Sequence, residues 1–202
     1  LMAIADMPIL TAIPLFTFAG YVLSESNAPQ RLVRLTNAMF GWMPGGLALV
    51  CLAACAFFTA FTGASGVTII ALGAILYPAL KQDGYGDRFN LGLVTSSGSL
   101  GLLFAPSLPL ILYGVVAEVS IDDLFRAGIL PGIAMLVMLS GYSIWVNRHN
   151  RKPVSAFSWK EVGSALREAV WELPLPIVVL GGIYSGFFAV SEAAAITALY
   201  VF

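Results

Sequence analysis

Charge is scarce in this sequence: 10% of the residues are Asp, Glu, Lys or Arg, against about 25% in soluble domains. The charges nearly cancel, at −1 overall, and the Lys and Arg residues are scattered between apolar segments. The basic excess that neutralises phosphates is missing, which excludes a nucleic-acid surface. Histidine occurs once, as His149 among Arg148, Asn150 and Arg151, the setting of a solvated side chain rather than a catalytic one. No apolar segment pairs a serine or cysteine with a histidine base, so an intramembrane hydrolase has no support and the chain does not read as an enzyme. The two cysteines, Cys51 and Cys55, share one helical face far from any histidine and read as packing, not as a metal or redox pair. A basic leader is also lacking, since the first charge is Asp6, which reads as interfacial.

What fills the chain instead is apolar: 59% of it is hydrophobic and its mean hydropathy is +0.89. The class is therefore an all-α integral membrane protein, a multi-span helical bundle. Beginning at Leu1 and stopping about ten residues past Glu192, half of what a span needs, it reads as part of a longer subunit. Residues 1–44 hold a first span (7–23), kinked at Pro14, and a surface helix (27–42). That helix places Leu32, Leu35, Met39 and Phe40 on one face and Arg31, Arg34 and Asn37 on another, and ends at Gly41 and Pro44. Within 45–80, two arms (45–60 and 66–80) of about sixteen residues or fewer fall short of the roughly twenty that cross hydrocarbon, which predicts a re-entrant hairpin. Residues 91–117 predict a discontinuous transmembrane helix. The stretch 118–202 supplies an acidic loop (118–126), a span (128–146), a surface helix (158–171) with Ser158 and Glu161 at capping-box spacing, an apolar segment (173–190) and a last helix opening at Ser191.

The loop from 147 to 171 carries Arg148, Arg151, Lys152, Lys160 and Arg167, half of the basic residues, and is cytoplasmic by the positive-inside rule. Counting back places the acidic loop outside and both the 81–90 loop and the first surface helix inside. The hairpin then enters from the cytoplasm. Trp42, Trp145, Trp159 and Trp171 all fall at that interface, where amphipathic rings prefer to sit.

Two interruptions stand out within apolar runs. One is the hairpin tip, with Gly63, Ser65, Gly66 and Thr68; the other runs from Ser97 through Gly98, Ser99 and Gly101 to Pro106 and Ser107. Broken backbone at membrane depth must be buried in protein or line a cavity, because each unpaired peptide group in hydrocarbon costs several kcal/mol. Freed carbonyls and hydroxyls suit a small cation, here Na+ at Ser65, Ser97 and Ser99, while the helix starts near Gly66 and Ser107 suit a carboxylate. The plainer reading of such small residues is close helix packing. Glu192 is either a functional intramembrane carboxylate or a favourable acid at a helix start.

At these residues the sequence resembles a known family. FTGASGVTIIALG (61–73), YPALKQDGY (77–85), TSSGSLGLLFAPSLPLILYG (95–114), LFRAGILPG (124–132) and GGIYSGFFAVSEAAA (181–195) are similar, in order and spacing, to the DctM-type large membrane subunit of TRAP transporters, the tripartite ATP-independent periplasmic family. The likeness runs from Ile13 onward and looks like the first half of that subunit, without its second inverted repeat. It implies a sodium-driven importer of an organic acid in the bacterial inner membrane, handed its substrate by a periplasmic binding protein. It also implies a small membrane subunit as partner, a transport domain moving like an elevator against a scaffold, and Na+ as the coupling ion with no cofactor. The tip from Gly63 to Thr68 would be the cytoplasmic-side hairpin, and Ser97 to Ser107 the unwound helix sharing its sodium site. There are departures: Ala105-Pro106-Ser107 stands for a frequent Pro-Pro-Ser, Ser191-Glu192-Ala193-Ala194 for Thr-Glu-Ala-Ala, and Ala64 for a frequent serine, which removes side-chain ligation there. An ion channel subunit or a non-transporting membrane interaction subunit are the alternatives.

Overall fold

A computed structural model describes residues 8–43, 45–148 and 158–202; Asp6, Pro44, His149, Arg151 and Lys152 lie outside them. The described residues form ten α-helices and two short 3-10 turns, with no strand among them. After the turn Pro8–Thr11 come α1 (Ala12–Glu25), α2 (Ala28–Phe40), α3 (Gly46–Thr62), α4 (Ser65–Gln82) and α5 (Asp87–Leu100). The turn Gly101–Leu103 leads to α6 (Leu108–Ala117), followed by α7 (Ile121–Val146), α8 (Trp159–Glu168), α9 (Pro174–Ser185) and α10 (Val190–Val201).

The axis of the bundle is α3. Its sequence is apolar on every side, the pattern of a helix enclosed by others, and from Gly46 to Ala60 only Ala53 and Phe57 are even partly exposed. Cys51 and Cys55 are unpaired and buried within it. Helices α1, α2, α4, α5 and α7 pack around it, and α10 runs along α1. On α7, Ile121, Phe125, Gly128 and Gly132 make the buried stripe, while Leu130, Val137 and Met138 on other faces are exposed. Apolar exposure of that extent suits lipid or a partner helix.

Several expected boundaries move. Pro14 does not kink a span, because α1 begins at Ala12 and the proline falls in its first turn, where its missing N–H costs nothing. The hairpin arms are longer than read, at 17 and 18 residues, so α4 is by length and composition able to cross a membrane, as is α7. Ser158 precedes α8 without a side-chain cap. The acidic loop shrinks because α7 starts at Ile121, where the Ser120 hydroxyl accepts from the Asp123 N–H at 3.3 Å.

The two amphipathic helices α2 and α8 are tied together. Leu35 meets Ala165 and Ala169 in a small apolar cluster, flanked by ion pairs of Arg34 with Glu168 and of Arg31 with Glu172, the latter at 2.7 Å. The two pairs differ in burial, since the Glu172 side chain is 10% exposed and those of Arg34 and Glu168 are 45% and 46% exposed. Substitution of Glu172→Gln in the full-length subunit is therefore expected to lower stability by about 1–2 kcal/mol, between the values for surface and buried pairs, whereas Arg34→Ala costs under about 1 kcal/mol. Thermal melts of the two variants side by side check the order.

Candidate functional site

The hairpin tip is two residues long. Gly63 closes α3 in the left-handed conformation, φ 63°, which only glycine adopts freely, and its N–H returns to the Thr59 carbonyl at 2.8 Å. Ala64 is extended and α4 begins at Ser65. The second break is longer. After α5 the backbone tightens through Gly101–Leu103, Phe104 and Ser107 are extended, and α6 starts at Leu108, with the two helical pieces bent by 44°. Helix α7 covers this irregular stretch by laying Gly128 on the Leu103 carbonyl and Gly132 on the Phe104 ring.

The two breaks meet. A methyl group at Gly63 would stand 3.2 Å from the Pro106 carbonyl oxygen and 3.0 Å from Leu108. On α5, a methyl at Gly98 would collide with Ile69, and one at Gly101, just past its end, would lie 2.3 Å from Thr59 Cβ and 2.7 Å from the Ala56 carbonyl. The glycines thus let the broken helix lie directly on the hairpin.

At that contact three threonine hydroxyls converge. Thr59, Thr62 and Thr68 are completely buried. Thr59 Oγ1 lies 2.8 Å from Thr68 Oγ1 and 3.0 Å from the Gly98 carbonyl, and its single proton serves one of the two. Thr62 Oγ1 is 3.3 Å from Thr68 Oγ1, and both approach the Ala64 carbonyl at 3.4 Å. Gly98 belongs to the last turn of α5, whose carbonyls have no intrahelical partner, and Thr59 and Thr62 to the last turn of α3. Two helix C-termini, each with a partial negative charge, therefore point into one oxygen cluster. Such a set favours a small hard cation; among the described residues no group of His, Cys, Asp and Glu is built to hold a metal.

The residues singled out in the sequence divide around this cluster. Gly63, Thr68, Gly98 and Gly101 are part of it or press against it. Pro106 touches the tip through its carbonyl, and Ser107 is fully buried with a hydroxyl that has no partner. Ser97 is buried beside the cluster's helix contact, donates to the Leu93 carbonyl and lies 3.8 Å from Cys51 Sγ. Ser99 is exposed and bonds back to the Thr95 carbonyl at 3.1 Å. Ser65 is half-buried and Gly66 exposed with open space around it, both already helical. Gly66, with Ala64 and Val67, borders a cavity of about 400 Å³ shared with Tyr21, Ser24 and Glu25 of α1, toward which the unpaired N–H groups at the start of α4 add a partial positive charge. Glu192 is exposed, and its carboxylate accepts from the Ala189 N–H at 3.1 Å, capping α10.

Thr59 was not legible as a site residue. The available signal was Thr59 and Thr62 spaced by three within an otherwise apolar helix, two hydroxyls on one face with no solvent to serve them.

Interrupted helices that meet inside an apolar bundle, their irregular backbone covered by protein, define a helical membrane protein. Comparison of sequences narrows the class. The chain matches the family described as tripartite ATP-independent periplasmic transporter, DctM component, over residues 1–202, and it belongs to that family. It is 38% identical over 192 residues to the ectoine/5-hydroxyectoine TRAP transporter large permease protein UehC of Ruegeria pomeroyi, covering 95% of this chain and 45% of that protein. To the C4-dicarboxylate TRAP transporter large permease protein DctM of Vibrio cholerae it is 37% identical over 194 residues, 96% of this chain and 43% of the relative. The isethionate TRAP transporter permease protein DctMQ of Oleidesulfovibrio alaskensis is 38% identical over 200 residues, 98% of this chain and 31% of the relative. The chain thus spans about half the length, or less, of the curated relatives it matches, and those relatives are permeases rather than enzymes.

Proposed function

We propose that this chain forms the ion-binding half of the large permease subunit of a sodium-coupled tripartite importer in the bacterial inner membrane. An organic acid would arrive from a periplasmic binding protein, and a small membrane subunit would complete the assembly. The hairpin α3–α4, entering and leaving on the cytoplasmic side, and the broken helix α5–α6 form the transport unit in this reading. Helices α1, α2 and α7 to α10 form the scaffold against which it moves.

The carrying observation is the buried threonine cluster at the meeting of tip and break. Sodium needs oxygen ligands without a full counter-charge, and hydroxyls, freed carbonyls and two converging helix ends supply them. The helix starts at Ser65 and Leu108 offer the opposite preference, suited to a substrate carboxylate. The relatives are named for different substrates, from C4-dicarboxylates to isethionate, which leaves the particular acid to the other half and the binding protein.

The test uses the purified full-length subunit. Sodium, but not potassium or choline at equal ionic strength, is expected to raise its melting temperature, and Thr68→Val is expected to weaken the apparent sodium affinity roughly tenfold or more, the loss of one oxygen ligand being worth about as much as one polar contact to a charged group. A melting temperature indifferent to sodium in the parent, or a Thr68→Val variant with unchanged sodium response, would sink the assignment.

A further inference from the structure

A second groove lies between α5 and the last turns of α7. It has a volume of about 200 Å³ and is lined by Arg88, Phe89, Gly92 and Ser96 from one helix and Leu139, Tyr142 and Ser143 from the other. Its polar groups are unused. The Arg88 guanidinium has no ion pair or hydrogen bond among the described residues, while its acidic neighbour Asp87 is engaged by Lys81 and by the Tyr77 hydroxyl at 3.1 Å.

Ser143 is the second, independent observation. It is 1% exposed and its hydroxyl has no partner. Buried helical hydroxyls ordinarily bond back to the carbonyl four residues earlier, and Thr36, Ser97 and Thr197 all do so here. Ser143 does not, although the Leu139 carbonyl is within the same turn. An unpartnered buried hydroxyl carries a cost of about 1–3 kcal/mol, which a ligand in the groove would remove.

We propose that this groove seats the phosphate head of an anionic phospholipid from the cytoplasmic leaflet. Arg88 supplies the charge-assisted bonds to phosphate and Ser143 a donor beside it. Gly92, with open space where a side chain would stand, leaves room for the glycerol ester. The acyl chains then lie along the exposed apolar face of α7, where Met135, Met138 and Tyr142 are 46%, 71% and 55% exposed. The leaflet follows from the sequence: Arg88 lies within the stretch 81–90 and Ser143 precedes the basic segment after α7, both on the cytoplasmic side, where anionic lipid draws cations. The groove's size fits a head group and its first methylenes, not a helix of a protein partner. The inference needs membrane embedding only and does not rest on the sodium reading.

The experiment is a lipid titration of the delipidated full-length subunit in detergent, read by melting temperature. Phosphatidylglycerol is expected to raise it, with phosphatidylethanolamine weaker and inorganic phosphate without effect at the same concentration. Arg88→Gln, Ser143→Ala and Gly92→Leu are each expected to raise the phosphatidylglycerol concentration for half-maximal shift roughly tenfold, the weight of one charge-assisted bond. Ser143→Ala removes an unsatisfied group, so its melting temperature without lipid should equal or exceed the parent's. Titration midpoints unchanged in the three variants would mean a bulk annulus, and saturation by inorganic phosphate a free-anion site; either overturns the proposal. Native mass spectra of the parent give a reading that needs no variant: one retained phosphatidylglycerol supports the site, and none refutes it.

Discussion

Gly101→Val is expected to be strongly destabilising although it adds only a few carbon atoms. The position is buried where the end of α5 crosses α3, and the first added carbon already falls 2.3 Å from Thr59 Cβ and 2.7 Å from the Ala56 carbonyl oxygen. One obstacle is backbone of the most enclosed helix, which cannot retreat without moving the core around it. Overpacking costs typically about 1–3 kcal/mol and more where neither side yields; the upper end applies here. The control is Gly66→Ala, the second residue of α4, where nothing lies within 4 Å of the new methyl. Because alanine outranks glycine inside a helix, that variant should be neutral or stabilised by about 0.5–1 kcal/mol. Thermal melts of the full-length subunit should separate the two; similar melts would mean that the hairpin and broken helix are not packed as closely as their glycines imply.

The contrast between those glycines shows what could be read in advance. Both lay in segments marked by their breakers, and the existence of two interruptions, their order and the discontinuity of 91–117 followed from hydrophobic patterning and turn chemistry. The exact residues of each break did not. Glycine can supply left-handed backbone, as Gly63 does, or close approach, as Gly98 and Gly101 do, or neither, as at Gly66, and sequence alone does not separate these uses. The breaks are consequently narrower than their composition suggested: Ser65 and Gly66 stay helical, and α5 continues to Leu100 before its backbone changes. Serines drew the eye because several stood together. Yet Ser99 faces outward and bonds its own helix, while Thr59, one hydroxyl in an apolar run, is brought to the contact by the way α5 crosses α3. Which hydroxyls converge is a property of that crossing, set by packing between segments some forty residues apart. Glu192 was undecided for a related reason. Its spacing fitted a helix cap and its surroundings fitted a buried acid, and only its exposure and its bond to Ala189 tell the two apart.

The remaining large effect concerns the tip itself. Gly63→Val places a β-branched side chain at φ 63°, a conformation costing about 1–3 kcal/mol for such a residue, and directs its first carbon at the Pro106 carbonyl and Leu108. The clash disappears if the tip opens away from the broken helix, and the backbone strain with it where the turn re-forms at negative φ, so the substitution biases the hairpin toward whichever arrangement separates the two breaks. If sodium binds where they meet, its apparent affinity falls by the fraction of molecules still closed, about tenfold to a hundredfold for that strain. Gly63→Ala, with a smaller clash and a milder conformational penalty, should fall between. Sodium titrations of melting temperature and of uptake in proteoliposomes should move together across the series. A lowered melting point with undiminished sodium affinity would assign Gly63 to the fold alone and detach the tip from ion binding.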